Sequence, residues 1–75
     1  MSEPPLRLRW EKDTRYYEAH VEPDLWGGWV LTRIWGRRGT ALGQMRRAPC
    51  DSYGQALDAL EDVGKRREKR GYHAV

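Results

Sequence analysis

Trp29-Val30-Leu31-Thr32-Arg33-Ile34-Trp35 is the stretch that decides the fold. Aromatic and β-branched residues fill it without a Gly or Pro, so it reads as a strand. Successive strand side chains point to opposite faces. Val30, Thr32 and Ile34 therefore share one face, and Trp29, Leu31, Arg33 and Trp35 share the other. The second face sets a guanidinium among rings and is the better candidate for a working surface. The strand runs directly into Gly36-Arg37-Arg38-Gly39, which adds two guanidinium groups and a flexible joint beside the Trp35 ring. A stacking surface next to a phosphate-sized cationic site suits gripping a sugar–phosphate backbone and offers nothing for making or breaking a bond.

Towards the N-terminus, Leu6, Leu8 and Trp10 alternate with Arg7, Arg9 and Glu11, which predicts a half-buried strand. Asp13-Thr14 reads as a turn. A second strand runs from Tyr16 to Val21, with Tyr17, Ala19 and Val21 on one face and Tyr16, Glu18 and His20 on the other. Pro23-Asp24 closes it, and Gly27-Gly28 supplies a turn pair able to take positive φ. Towards the C-terminus, a glycine-punctuated loop is expected from Arg37 to Leu42 and a short fourth strand from Gly43 to Ala48, with Pro49-Cys50-Asp51 ending the sheet.

Ser52-Tyr53-Gly54-Gln55 fits a capping box that opens a helix. Tyr53, Ala56, Leu57, Leu60, Val63 and Gly64 follow at i, i+3, i+4 spacing and form one apolar stripe. Asp58, Glu61 and Asp62 precede a late Lys/Arg cluster, as the helix dipole favours, and Gly71 is placed to stop the helix. The expected fold class is α+β: a small twisted antiparallel sheet of about four strands with one long helix packed across it. One domain spans residues 1–75, with a core over 15–73 and a flexible arm at 1–5.

Seventy-five residues lie near the lower limit for a chain that folds unaided. With no Phe, four Trp and four Tyr must supply the large apolar side chains. Cys50 is the single cysteine, so no internal disulfide forms and a reduced, cytoplasmic setting is expected. The N-terminal Met1-Ser2-Glu3-Pro4-Pro5 has no hydrophobic signal core behind it, and no apolar run reaches the ~20 residues a membrane span needs.

The net charge of +3 conceals a segregation. Residues 1–32 carry four basic and six acidic side chains, whereas residues 33–50 carry Arg33, Arg37, Arg38, Arg46 and Arg47 with no acid. Lys65, Arg66, Arg67, Lys69 and Arg70 crowd the end of the chain. Two basic clusters point to a polyanionic partner. Arg33, Arg37 and Arg38 are assigned to phosphates and Trp35 to a terminal sugar or unstacked base, with Gly36 and Gly39 shaping the site. Arg46 and Arg47 are adjacent on a strand, so only one of them can join that surface. Lys65, Arg66 and Arg67, with Lys69 and Arg70, are candidate phosphate contacts, Lys65 and Arg66 foremost, with a solvated, dipole-matched helix end as the alternative.

Trp26 reads either as a loop anchor or as a second stacking ring, and Trp10 and Trp29 as rings packed against the sheet. His20 and His73 lack a cluster of acids or thiols, which excludes a zinc site, and Cys50 has no catalytic partner at a recognisable offset. No phosphate-binding loop, dinucleotide fingerprint or metal motif occurs. The expectation is no cofactor, no catalytic residue and no small-molecule substrate.

The residues from Tyr16 to Tyr72 resemble the WGR domain, named for the triplet present here as Trp35-Gly36-Arg37. The likeness rests on an ordered set: Tyr16-Tyr17-Glu18, Gly28-Trp29, the triplet, Gly39, Gly43-Gln44, the helix stripe, and Lys69-Arg70-Gly71-Tyr72. Pro23 to Trp29 is similar to the short stand-alone bacterial members. The resemblance implies a twisted antiparallel sheet crossed by a helix. It also implies binding to DNA ends and nicks, as in the eukaryotic poly(ADP-ribose) polymerases, where the motif Trp meets the sugar of the terminal nucleotide. By that likeness Trp35 meets nucleic acid. The motif Arg there contributes to interdomain contacts, yet these 75 residues include no polymerase domain or zinc fingers to receive Arg37, and Arg38 stands where an aliphatic residue is usual. The expected partner is therefore nucleic acid, in the form of duplex DNA with ends or nicks. The alternative is a protein-interaction module that recognises an acidic peptide or a partner enzyme.

Overall fold

Alternation of apolar and polar residues builds the sheet of this protein, which a computed structural model describes over residues 3–41 and 43–75. Five strands form it: β1 (Leu6–Lys12), β2 (Arg15–Pro23), β3 (Trp29–Arg37), β4 (Gly43–Cys50) and β5 (His73–Ala74). All pairings are antiparallel, in the order β4-β3-β2-β1-β5. The helix α1 (Tyr53–Lys69) crosses one face. The α+β architecture agrees with the sequence pattern. The fifth strand is an addition: two residues beyond the helix pair with Trp10 and Glu11 and cover the edge of β1. Two residues are too short to carry a periodic signal.

Strand limits also differ from expectation. β3 continues through Gly36 to Arg37, and β4 continues through Pro49 to Cys50. β4 is an edge strand, where a residue without an N–H leaves no ladder partner unmet on its open side. The expected loop to Leu42 and the expected arm at 1–5 lie partly outside the described residues. Within that arm, the Pro4 carbonyl accepts a hydrogen bond from Tyr53 Oη at 3.1 Å.

The core lies between α1 and the sheet. Ala56, Leu60 and Val63 pack onto Trp10, Tyr17, Ala19, Val21, Trp29 and Leu31, all buried. Both ends of α1 are held by specific bonds. Ser52 Oγ accepts the Gln55 N–H at 3.1 Å, while the Gln55 carboxamide oxygen takes the Asp51 N–H at 2.6 Å rather than that of Ser52. The reciprocal half of the capping box thus reaches one residue further back. The first turn carries no acid, so charge matches the dipole only at the C-terminal end, where Arg66, Arg67 and Lys69 lie. There Gly71, at φ +86°, donates its N–H to Glu68 O, and Tyr72 N–H reaches Arg67 O at 2.9 Å. This is a Schellman cap, which usually brings the two residues of its longer bond into side-chain contact. Here those residues are Tyr72 and Arg67.

Candidate nucleic-acid interface

On the helix side, three adjacent rows among those that cross the sheet build the site. The middle row is Trp10, Tyr17, Trp35 and Gln44, read across β1 to β4. Tyr17 and Trp35 stack with ring centroids 5.7 Å apart and planes 12° from parallel, and Trp10 meets Tyr17 edge-on. Two residues further along the strands lies a row of cations, Lys12, Arg15 and Arg37, in register. On the other flank Arg33 and Arg46 face each other beside Ala19. Rows on one face are separated by two strand residues, about 6.6 Å. An aromatic row is thereby flanked by two cationic ones.

The last turn of α1 roofs this surface. Ala56, Leu60 and Val63 face the sheet, and the same +3/+4 spacing continues to Arg67 and Arg70. The Arg67 guanidinium carbon lies 4.2 Å from the Tyr17 ring centroid and 5.3 Å from that of Tyr72, at cation–π distance for both. Its Nε–H is buried without an acceptor among the described residues. Such an unmet donor costs about 1–3 kcal/mol, a strain that functional sites often carry. The result is a groove of about 600 Å³. Arg15, Arg33, Arg37, Arg46, Arg67 and Arg70 line it with Tyr16, Tyr17, Trp35, Gly36 and Tyr72, and no acid does.

None of these six arginines is in an ion pair among the described residues. Arg15 faces Arg37, and Arg33 faces Arg46. Like charges directly opposite on neighbouring strands are destabilising. The groove therefore carries concentrated positive charge that the fold does not neutralise.

The residues singled out in the sequence separate into two groups. Trp35, Gly36, Arg33, Arg37 and Arg46 come together in the groove. Trp35 is half-buried, packed on the core by one side while lining the groove, so it is both a core ring and an available surface. The face of β3 chosen as the working surface is divided: Trp29 and Leu31 lie under the helix, and Arg33 and Trp35 line the groove.

Arg38, Arg47, Lys65 and Arg66 lie elsewhere. Arg38 pairs with Glu11 at 2.9 Å and its N–H meets Thr14 O at 2.6 Å. Arg47 is in register with Thr32, on the face away from the helix. Lys65 and Arg66 line a separate cavity whose wall includes Asp62 and Glu68. Gly39, at φ +77°, shapes the turn after β3 and does not line the groove. Trp26 packs as no anchor: it is 89% exposed beside Leu25 at 91%, in a loop where the Asp24 carboxylate accepts the N–H groups of Trp26 and Gly28. Arg15, Tyr16, Tyr17 and Tyr72 line the groove without having been assigned to it, and Arg67 and Arg70, weighed only as members of the helix-end cluster, join them. For Arg67 the signal was available, since it extends the helix stripe by one step past Val63.

The opposite sheet face has a different character. Glu11 bridges Arg38 and Arg9; Glu18 bridges Arg9 at 2.6 Å and His20 at 2.8 Å; and the Arg9 guanidinium sits 4.7 Å from the Tyr16 centroid. The His20 hydrogen bond and that of Arg9 hold the Glu18 carboxyl below its ordinary value, and Arg9 does the same, with Arg38, for Glu11. On this face Arg9, Glu11, Glu18 and Arg38 are paired, whereas the groove arginines are in no ion pair among the described residues. Among the described residues no cluster of His, Cys, Asp or Glu could hold a metal ion, and no helix is long and apolar enough to cross a membrane.

The family model described as the WGR domain matches residues 7–75, so the likeness extends beyond Tyr16–Tyr72 to include β1 and β5. An uncharacterized protein, y4dW, of Sinorhizobium fredii (strain NBRC 101917 / NGR234) is 43% identical over 61 residues, which is 77% of this chain and 28% of that protein. The chain thus spans little more than a quarter of the relative's length. No solved structure matches. Matched by the family model over nearly its whole length, the chain belongs to the WGR domain family, a family of non-catalytic modules of the nucleic-acid-binding type.

Proposed function

We propose that this module binds duplex DNA at ends or breaks through the groove between β3 and the last turn of α1, in a cytoplasmic setting and without catalysis. One observation carries the reading: six unpaired arginines line a groove with no acid in its wall, around the stacked pair Trp35 and Tyr17. Phosphates neutralise the arginines that line the groove, which Lys12 does not, and Trp35 meets the sugar or unstacked base where the duplex stops. Stacking on an aromatic ring contributes about 1–3 kcal/mol per base, which favours a frayed end over continuous duplex. The groove offers guanidinium groups and rings, which suit phosphate and sugar rather than base edges, so sequence specificity is low.

The test is fluorescence anisotropy with matched linear, nicked, hairpin-closed and RNA duplexes across a salt series. Each phosphate neutralised on B-DNA contributes about 0.9 to the log–log salt slope. With roughly three to five engaged, binding is micromolar and collapses above moderate salt. Trp35→Ala weakens binding to ends more than to closed duplex, and Arg37→Ala weakens both and flattens the slope by about one unit. Equal binding of both variants and wild type to every DNA form refutes the reading.

A further inference from the structure

A second cavity of about 440 Å³ opens from the groove beneath the end of α1. Arg15, Arg67, Arg70 and Tyr72 line both spaces, and Lys12 lines only the second. No acid lines either one. Helix-end charge alone does not account for this, because the cavity on the other side of α1 includes Asp62 and Glu68 in its wall. The acid-free lining is confined to the space around Arg67, Arg70 and Tyr72, since a cavity between α1 and β1 includes Glu61 and Glu68 in its wall.

The row Lys12–Arg15–Arg37 crosses three adjacent strands in register. Neighbouring strands are about 4.8 Å apart, so the row extends about 10 Å away from the Trp35 end. Its roof is Arg67 and Arg70, with Tyr72 as the single ring. Lys12 Nζ donates to Arg70 O at 2.6 Å, which ties the sheet to the helix end, and the ammonium has no acidic partner among the described residues. A path this long, cationic throughout and with one ring, matches a sugar–phosphate chain better than a lone anion. It is too small for a base pair and its two backbones.

We infer that the second cavity receives a single-stranded extension of the DNA, so that the preferred ligand is a duplex with an overhang or flap. This rests on the groove being the nucleic-acid interface. The strand that leaves the duplex at Trp35 continues along Arg37, Arg15 and Lys12, with its first unpaired base available to Tyr72.

The probes are a hairpin duplex with one blunt end and the same hairpin with a four-nucleotide 3′ or 5′ extension, titrated by anisotropy at several salt concentrations. One of the extended forms binds severalfold more tightly than the blunt form. Two added single-strand phosphate contacts steepen its salt slope by about 1.4. Lys12→Gln, which keeps a donor for Arg70 O but no charge, removes most of that gain and leaves blunt-end binding unchanged. Lys12→Arg restores the gain, which a merely structural role for Lys12 does not explain. Equal affinity for blunt and extended forms, with binding intact, overturns the inference and leaves the end-binding function standing. A gain that survives Lys12→Gln also overturns it. Loss of binding to every form would remove the proposed function itself.

Discussion

At the residue scale, the arginines of the groove oppose folding where they favour binding. Arg33 and Arg46 face each other across β3 and β4 with no acid between them. Opposed like charges on a strand pair destabilise by about 0.2–1 kcal/mol. Arg46→Gln is accordingly expected to raise the stability of the free protein by that order, read from urea unfolding, while weakening DNA binding and lowering the salt slope by about one unit. A variant that loses stability and affinity together would mean that Arg46 serves the fold. Arg67 and Arg66 provide a matched pair of neighbours. Arg67→Ala removes a cation lying against Tyr17 and Tyr72 and should weaken binding clearly, whereas Arg66→Ala, on the other side of α1, should leave it nearly unchanged. That difference could be read from the sequence only by extending the stripe beyond its apolar members. Searching for an apolar residue at each step stops at Val63 and Gly64, and a list of basic residues treats Arg66 and Arg67 alike.

At the scale of elements, the strands and the helix were legible because periodicity is a property of many residues. Period 2 in β1 to β3 and the 3.6-residue stripe of α1 identify the inward faces, and Ala56, Leu60 and Val63 are buried as the stripe requires. Leu60→Ala should cost about 2–4 kcal/mol, a large part of the stability of so small a protein, and is read as a lower urea midpoint with an unchanged m-value. The site was less legible because it depends on register and on pairs distant in sequence. Adjacency groups Arg38 with Arg37, yet β3 continues to Arg37, and the next residue turns away to meet Glu11. The two-residue β5 and the row joining Lys12, Arg15 and Arg37 likewise exist only once the strands pair. The opposite face yields a pH prediction. The carboxyls of Glu11 and Glu18 titrate below their ordinary value near 4.5, so their pairing stabilises the protein above that pH and is lost as pH falls through their lower folded values. Unfolding midpoints should be level from pH 7 to about 5 and fall below that. Glu18→Gln should flatten part of the fall. An equally steep acid limb in that variant would show that other carboxyls are responsible.

For the whole molecule, the four tryptophans occupy three environments. Trp10 and Trp29 are buried, Trp35 lines the groove, and Trp26 is 89% exposed in the loop before β3. Trp26 precedes Trp29, and β3 then runs six residues to Trp35, a distance of about 20 Å. A ligand held at the groove therefore reaches Trp35 and leaves Trp26 in water. Intrinsic fluorescence can distinguish the two ends of the molecule. In the wild type, a neutral collisional quencher should act mainly on Trp26, and DNA should quench Trp35 while leaving that accessible fraction intact. Trp26→Phe removes an almost fully exposed ring, so stability and DNA affinity should hold to within about 0.5 kcal/mol, the usual range for surface substitutions. The fraction of emission quenched by DNA should then increase, because the emitter that does not respond is gone. If Trp26→Phe instead abolishes the DNA-induced quench, nucleic acid meets the molecule at the loop end, and the unpaired arginines around Trp35 serve some other polyanion.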